Sequence, residues 1–263
     1  MSDKIAVLYV ATGNYIDFWD AFYSSSERNF SPGVIKHYFV FTDAPDDVRF
    51  INENNNVTTR GIDRLSWPLN TLLRFEYFHL VIDELEAFDY IIFLNANAEF
   101  ITTVHLEELF DNTSDLVGVQ HPGYMNWRYI FLPYERKNKF SQAYLKPKKS
   151  SVYYQGCLSG GKASAYIELI KTCRNNINYD LKNNIIARAH DESHINKYFN
   201  NHKVHTLDFS YSFPEDYGQK GDIRILMRNK NRFSWYADVK NPSNKKSTIL
   251  RLKHKLKKLV VEK

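Results

Sequence analysis

Residues Phe88–Phe100 read FDYIIFLNANAEF, and this stretch decides the fold. Tyr90, Ile91, Ile92, Phe93 and Leu94 form an unbroken apolar run with two β-branched residues, the pattern of a central strand buried on both faces. Asn95 and Asn97 follow at once, two residues apart, so on an extended backbone both amides point the same way. Ligands of open α/β sheets bind beyond the carboxyl ends of the strands, which puts a site here. The same residues also suit an ordinary polar turn, because short amides bond to their own backbone. Taken alone, the stretch leaves both readings open.

On the amino-terminal side, Ile5 to Val10 reads as a first strand closed by ATGN, with Tyr15 just past the turn and a helix beginning over Ile16 to Phe22. There is no GxGxxG or GKT loop, so neither dinucleotide nor P-loop binding is supported. His37 to Phe41 is a second buried strand, and the Asn-rich INENNNVTT is a surface connection. Leu72, Leu73, Phe75, Phe78, His79 and Ile82 recur at three and four, predicting one helix over Leu69 to Glu84. Arg74 lies near its start, and if buried it needs an anionic partner.

On the carboxyl-terminal side, Leu116 to Val119 is a strand that delivers QHPGYMNW at its end. The segment from Arg128 to Ser151 has no clean periodicity, and its Pro, Lys and aromatics predict a long ordered loop over a site. VYYQGCLSGG is an aromatic strand ending in Gly-Gly, where backbone comes close to something or turns sharply. A helix follows over Ala163 to Asn175. His190, Asp191 and Glu192 then stand at or just before another helix start, anchored by Ile195, Tyr198 and Phe199. Acidic groups there meet the positive end of the helix; capping and a functional role both fit. DIRILMRNKNRFSW is a strand and a basic turn.

The chain has 263 residues, enough for a sizeable core, and divides into a body over 1–246 and a basic tail over 247–263. Much of the net charge of +5 sits in that tail, so the near-neutral body gives little support to nucleic-acid binding. In the tail Leu250, Leu252, Leu256, Leu259 and Val260 lie among lysines. A basic amphipathic helix in peripheral contact with an anionic membrane, a helix docked by one edge and a disordered end all match it. Cys157 and Cys173 are the only cysteines and make neither a disulfide framework nor a metal cluster. No signal-peptide anatomy or bilayer-length apolar segment is present, and a cytoplasmic location is expected.

Several stretches together resemble one family, the retaining α-1,3-galactosyl and N-acetylgalactosaminyl transferases that include the blood group A and B enzymes. They are HYFVFTD at His37, WPLNTLLRFE at Trp67, the central FDYIIFLNANAEF, HPGY at His121, the run from Tyr134 to Gly161, and HDESHINKYF at His190. They occur in order over roughly Ile5 to Phe233, and only the tail lies outside. The resemblance implies an α/β nucleotide-sugar transferase fold of the GT-A type, a single mostly parallel sheet with a Rossmann-like amino-terminal half. It also implies a UDP-sugar donor and a β-galactoside acceptor, here expected to be fucosylated, in a soluble bacterial form of the family.

The departure from the family is at the central strand. Vertebrate members carry Asp-x-Asp there, whose carboxylates hold manganese against the donor diphosphate; this chain has Asn95 and Asn97. An amide is a poor ligand for a hard cation, yet it can donate hydrogen bonds to phosphate or sugar oxygens. A metal-independent enzyme with no cofactor is therefore expected. Lys230, with Arg228 and Arg232 behind it, is expected to meet the charge growing on the departing diphosphate.

By the same resemblance, Tyr15 stacks on uracil, with Ala11 and Thr12 lining that pocket. Arg74 contacts donor sugar or phosphate, and Asp191 orients donor hydroxyls. Gln155, Gly156 and Cys157 fall where galactose is told from N-acetylgalactosamine. His121 and Trp67 contact the acceptor, and Glu192 lies beneath the anomeric carbon, touching the acceptor as well. Glu192 acts either as a nucleophile or as an electrostatic stabiliser of front-face attack. UDP-N-acetylgalactosamine is the expected donor and UDP-galactose the alternative; a sugar-binding protein without catalysis is the rival from another class.

Overall fold

The computed structural model describes residues 3–49, 55–111, 113–218 and 221–237. In chain order its helices and strands are β1 (Lys4–Val10), α1 (Trp19–Asn29), β2 (Ile35–Thr42), β3 (Val57–Gly61), α2 (Leu69–Leu72), α3 (Arg74–His79), α4 (Ile82–Leu85), β4 (Tyr90–Asn95) and β5 (Ala98–Phe100). There follow α5 (Leu106–Leu109), β6 (Leu116–Gln120), β7 (Tyr154–Lys162), α6 (Ala163–Lys182), α7 (Asp191–Phe199), β8 (Val204–Leu207), β9 (Phe213–Pro214) and β10 (Ile225–Met227). The tail assigned to 247–263 lies outside the described residues.

Seven strands form one sheet in the order β3-β2-β1-β4-β7-β6-β8. The half β3-β2-β1-β4 is parallel throughout, as expected of a Rossmann-like start. β7 runs antiparallel to both β4 and β6, so the sheet is mixed. A second sheet of β5, β10 and β9 was not anticipated: β10 lies in a stretch expected to be a strand, but its partners have only three and two residues, too few to show a period.

The unbroken apolar runs are explained by burial on both faces. On one face Val7, Tyr9, Ile92 and Leu94 meet Trp19 and Phe22 of α1; on the other Leu8, Ile91 and Phe93 meet Phe75, Phe78, Tyr166 and Ile170 of α3 and α6. Each such large apolar side chain contributes about 1.5–3 kcal/mol over an exposed one. The helix predicted over Leu69 to Glu84 is instead three short helices, broken at Leu73 and Val81. A straight helix buries one stripe, whereas Leu72, Leu73, Phe75, Tyr77, Phe78, Val81 and Leu85 are all buried. The first helix also begins differently, with a 3-10 turn over Gly13–Phe18 before α1.

Strand direction decides where the functional residues meet. Val10 pairs with Asn95, so β1 and β4 end together. Because β7 is reversed, its start arrives at that same edge: Leu158 faces Leu94, and Tyr154 faces Gln120 at the end of β6. The long loop before β7 is ordered by a small core of Leu132, Tyr134, Leu145 and Tyr153. Buried Glu135 accepts from the Lys137, Asn138 and Arg188 amides, and Asp180 accepts from Ser141 Oγ and the Gln142 amide, tying this loop down.

Candidate active site

At the sheet edge the start of β7 is fastened to the start of α7. Asn196 Oδ1 accepts from the Tyr154 amide at 2.9 Å, and its Nδ2 donates to the Tyr154 carbonyl at 2.8 Å and to the Glu192 carbonyl at 2.9 Å. Glu192 is held at both oxygens, by Tyr153 Oη at 2.6 Å and by the Gly156 amide at 2.7 Å. A Cβ on Gly156 would lie 3.3 Å from Glu192 Oε2, so the glycine permits this approach. The carboxylate thus bonds to the sheet edge and does not cap its own helix. Desolvation pushes the Glu192 carboxyl up to about 7, opposed by the hydrogen bonds from Tyr153 and Gly156.

Arg74 is buried, and it has the anionic partner that burial requires. Its Nη1 donates to the Gly156 carbonyl at 2.6 Å, its Nε lies 3.1 Å from Asp191 Oδ2, and its guanidinium sits 4.4 Å from the Phe93 ring centre. Asp191 Oδ2 is buried against that cation. Burial raises the Asp191 carboxyl, and Arg74 opposes that rise. Cys157 is buried, its thiol pushed up to about 12 by desolvation, hence neutral. Gln155 is half-buried with Oε1 enclosed and unpartnered.

The other wall comes from the ends of β1 and β4 and from the basic turn. Ala11 is fully buried and its amide donates to the Phe41 carbonyl at 2.9 Å. Half-buried Thr12 precedes the 3-10 turn that carries Tyr15. The Tyr15 ring packs edge-on against Trp235 at 5.1 Å, and Lys230 Nζ lies 5.6 Å from its centre and 5.7 Å from that of Tyr236. Arg228 and Arg232 instead pair with Glu215, at 3.6 and 2.9 Å. The chain turns at Ala96–Asn97, so Asn95 and Asn97 do not share one extended strand. Asn95 is half-buried; Asn97 is buried and its Nδ2 donates to the Arg228 carbonyl at 2.8 Å.

His121 stands at the end of β6, its ring 4.5 Å from Tyr124 and 5.9 Å from Tyr153. Nδ1 accepts from the Gly123 amide at 3.0 Å, which leaves the proton on Nε2. Burial lowers its pKa to about 4, so it is neutral at pH 7. Trp67 is half exposed and packs edge-on at 4.8 Å against His190, whose φ of +52° turns the chain into α7.

Two residues of this network were missed from the sequence. Tyr153 lies two before Gln155 and four before Cys157, sharing their side of an extended chain, and Asn196 lies one helical turn beyond Glu192. Both spacings were readable. Among the described residues no group of three or more His, Cys, Asp or Glu is disposed to hold a metal ion. Nor do Asn95 and Asn97 fit the family's manganese: both are neutral amides, and one is committed to Arg228. An open cavity lined by Asp3, Phe88, Asp89, Lys162 and Lys171 lies at the opposite ends of β1 and β4, away from these groups. No helix among the described residues is long and apolar enough to cross a membrane.

Comparison with known proteins agrees with this geometry. The family model for glycosyltransferase family 6 matches residues 2–241. The O-antigen biosynthesis glycosyltransferase WbnI of Escherichia coli is 43% identical over 236 residues, covering 90% of this chain and 99% of that protein. The globoside alpha-1,3-N-acetylgalactosaminyltransferase 1 of Gallus gallus is 30% identical over 245 residues, covering 90% and 69%. The histo-blood group ABO system transferase 1 of Rattus norvegicus is 32% identical over 206 residues, covering 76% and 57%. With an α/β fold whose strand ends gather these side chains, the chain belongs to glycosyltransferase family 6 and is a UDP-sugar-dependent glycosyltransferase.

Proposed function

We propose that the protein transfers N-acetylgalactosamine from UDP-N-acetylgalactosamine, with retention and in α-1,3 linkage, to the galactose of a fucosylated β-galactoside, without a divalent metal. The observation that carries the reading is Glu192, held by Tyr153 and Gly156 between the donor groups Arg74 and Asp191 and the acceptor-side His121 cluster. UDP lies along Ala11, Thr12, Asn95 and Lys230, with uracil on Tyr15. As the bond from the anomeric carbon to the phosphate breaks, the electron pair leaves with UDP, and Lys230 and Asn95 stabilise that charge. The acceptor hydroxyl attacks on the same face and its proton passes to the departing phosphate. Glu192 stabilises the oxocarbenium charge from beneath. Hydrogen bonds at both of its oxygens favour this role over nucleophilic attack, since a glycosyl ester would draw charge from one of them.

The donor is proposed from the chicken relative's named activity. One observation favours UDP-galactose instead: Cys157 is bulkier than the Gly or Ala of the A and B enzymes, and galactose has no acetamido group to fit. Purified protein, each donor and fucosylated or plain galactosides, assayed in EDTA and in manganese, separate these readings. Trisaccharide from UDP-N-acetylgalactosamine in EDTA, at a rate manganese barely changes, is expected. Product only from UDP-galactose would move the donor, and product only with manganese would overturn metal independence.

A further inference from the structure

We propose that Asn97 is a positioning residue, a latch that holds the basic turn and its Lys230 over the donor site; the ligand half of this inference rests on the function proposed above. Two hydrogen bonds join residues 131 apart in sequence. Asn97 Nδ2 donates to the Arg228 carbonyl at 2.8 Å, and the Arg228 amide donates to the Asn97 carbonyl at 2.8 Å. Asn97 is only 4% exposed, so the bond made by its side chain is shielded from water. The pairing continues the ladder in which Met227 faces Ala98, and two residues beyond Arg228 stands Lys230.

The latch gives a reason for an amide at this position beyond the loss of a metal ligand. A carboxylate has no N–H; at residue 97 it would set two acceptors against each other across 2.8 Å and leave the Arg228 carbonyl without its donor. Asn95, two residues earlier, makes no such tie among the described residues. The two amides therefore divide the work, Asn95 facing the ligand and Asn97 fixing the segment that supplies the cation.

Hydrogen exchange of residues 225–232 and titration with UDP in EDTA, in wild type, Asn97→Ala, Asn97→Asp, Lys230→Met and the double variants, test this. Faster exchange in Asn97→Ala is expected, with UDP affinity about tenfold weaker and the Lys230→Met effect largely absent once Asn97 is changed. A purely structural residue would lower the melting temperature while leaving that coupling at zero. Unchanged exchange in Asn97→Ala, or additive effects of the two substitutions on UDP, would overturn the latch. Should Asn97→Asp fail to fold, Asn97→Ala carries both measurements. Failure of the wild type to bind UDP would overturn the functional reading and the ligand half of this one, whereas the exchange result judges the hydrogen-bonded latch separately.

Discussion

The two walls of the site are built differently. On the β7–α7 wall Arg74, Gly156, Glu192, Tyr153 and Asn196 form a continuous hydrogen-bonded block between a strand and a helix that lie against one another. On the donor wall the parts come from distant chain segments: Tyr15 from the first turn, Asn97 from the central strand's end, and Lys230 and Trp235 from near the end of the described chain. That wall is held by the Asn97–Arg228 hydrogen bonds, by Glu215, which pairs with Arg228 and Arg232 and accepts from the Asn229 amide, and by ring contacts with Lys230 over Tyr15 and Tyr236. The groups proposed to meet the reacting carbon occupy the locked wall, where position is held most closely, while the wall proposed to receive the nucleotide is assembled from separate chain segments.

The largest effect is expected on the locked wall. Glu192→Gln should lower kcat by about 10²–10³ while leaving the dissociation constant for UDP nearly unchanged, as read by steady-state kinetics and calorimetry. A matching loss of UDP affinity would erase the distinction between the walls. Arg74→Met leaves the Asp191 carboxylate buried without its partner, both side chains being under 10% exposed. Breaking such a pair costs about 3–5 kcal/mol, visible as a large drop in the urea midpoint.

On the donor wall Lys230→Met should weaken UDP binding about tenfold, flatten its dependence on salt and leave the urea midpoint close to wild type. An equally large loss of stability would mean that the two walls form one block. The smallest effect concerns pH. Glu192 must be ionised to stabilise positive charge, so kcat/KM should fall as the pH drops through about 7. The Tyr153 hydroxyl favours the ionised form, so Tyr153→Phe should move that acid limb to higher pH. No displacement, or one toward lower pH, would show that the bond does not tune the carboxylate.

The two walls were also unequally legible in the sequence. Tyr90 to Leu94 read as a buried strand because its burial on both faces leaves no alternation to mistake, and HDES stood out because acidic groups gather at a helix start. Beyond Tyr153 and Asn196, whose spacings were readable, what the reading missed depends on packing between segments far apart. That Glu192 bonds to β7 and not to its own helix, and that the Leu69 to Glu84 helix breaks twice, follow from the shape of the facing core. The turn at Ala96–Asn97, which parts the two amides, is set by pairing with β10, over a hundred residues away. Local periodicity contains no information about such a partner.

The most direct test of the central claim, that protein groups alone receive the diphosphate, is titration of the wild-type protein with UDP in EDTA and again in manganese. Dissociation constants equal within about twofold are predicted, because neither Asn95 nor Asn97 offers a carboxylate to the ion. Tightening by manganese of about tenfold or more would contradict the account and show that a cation completes the donor wall.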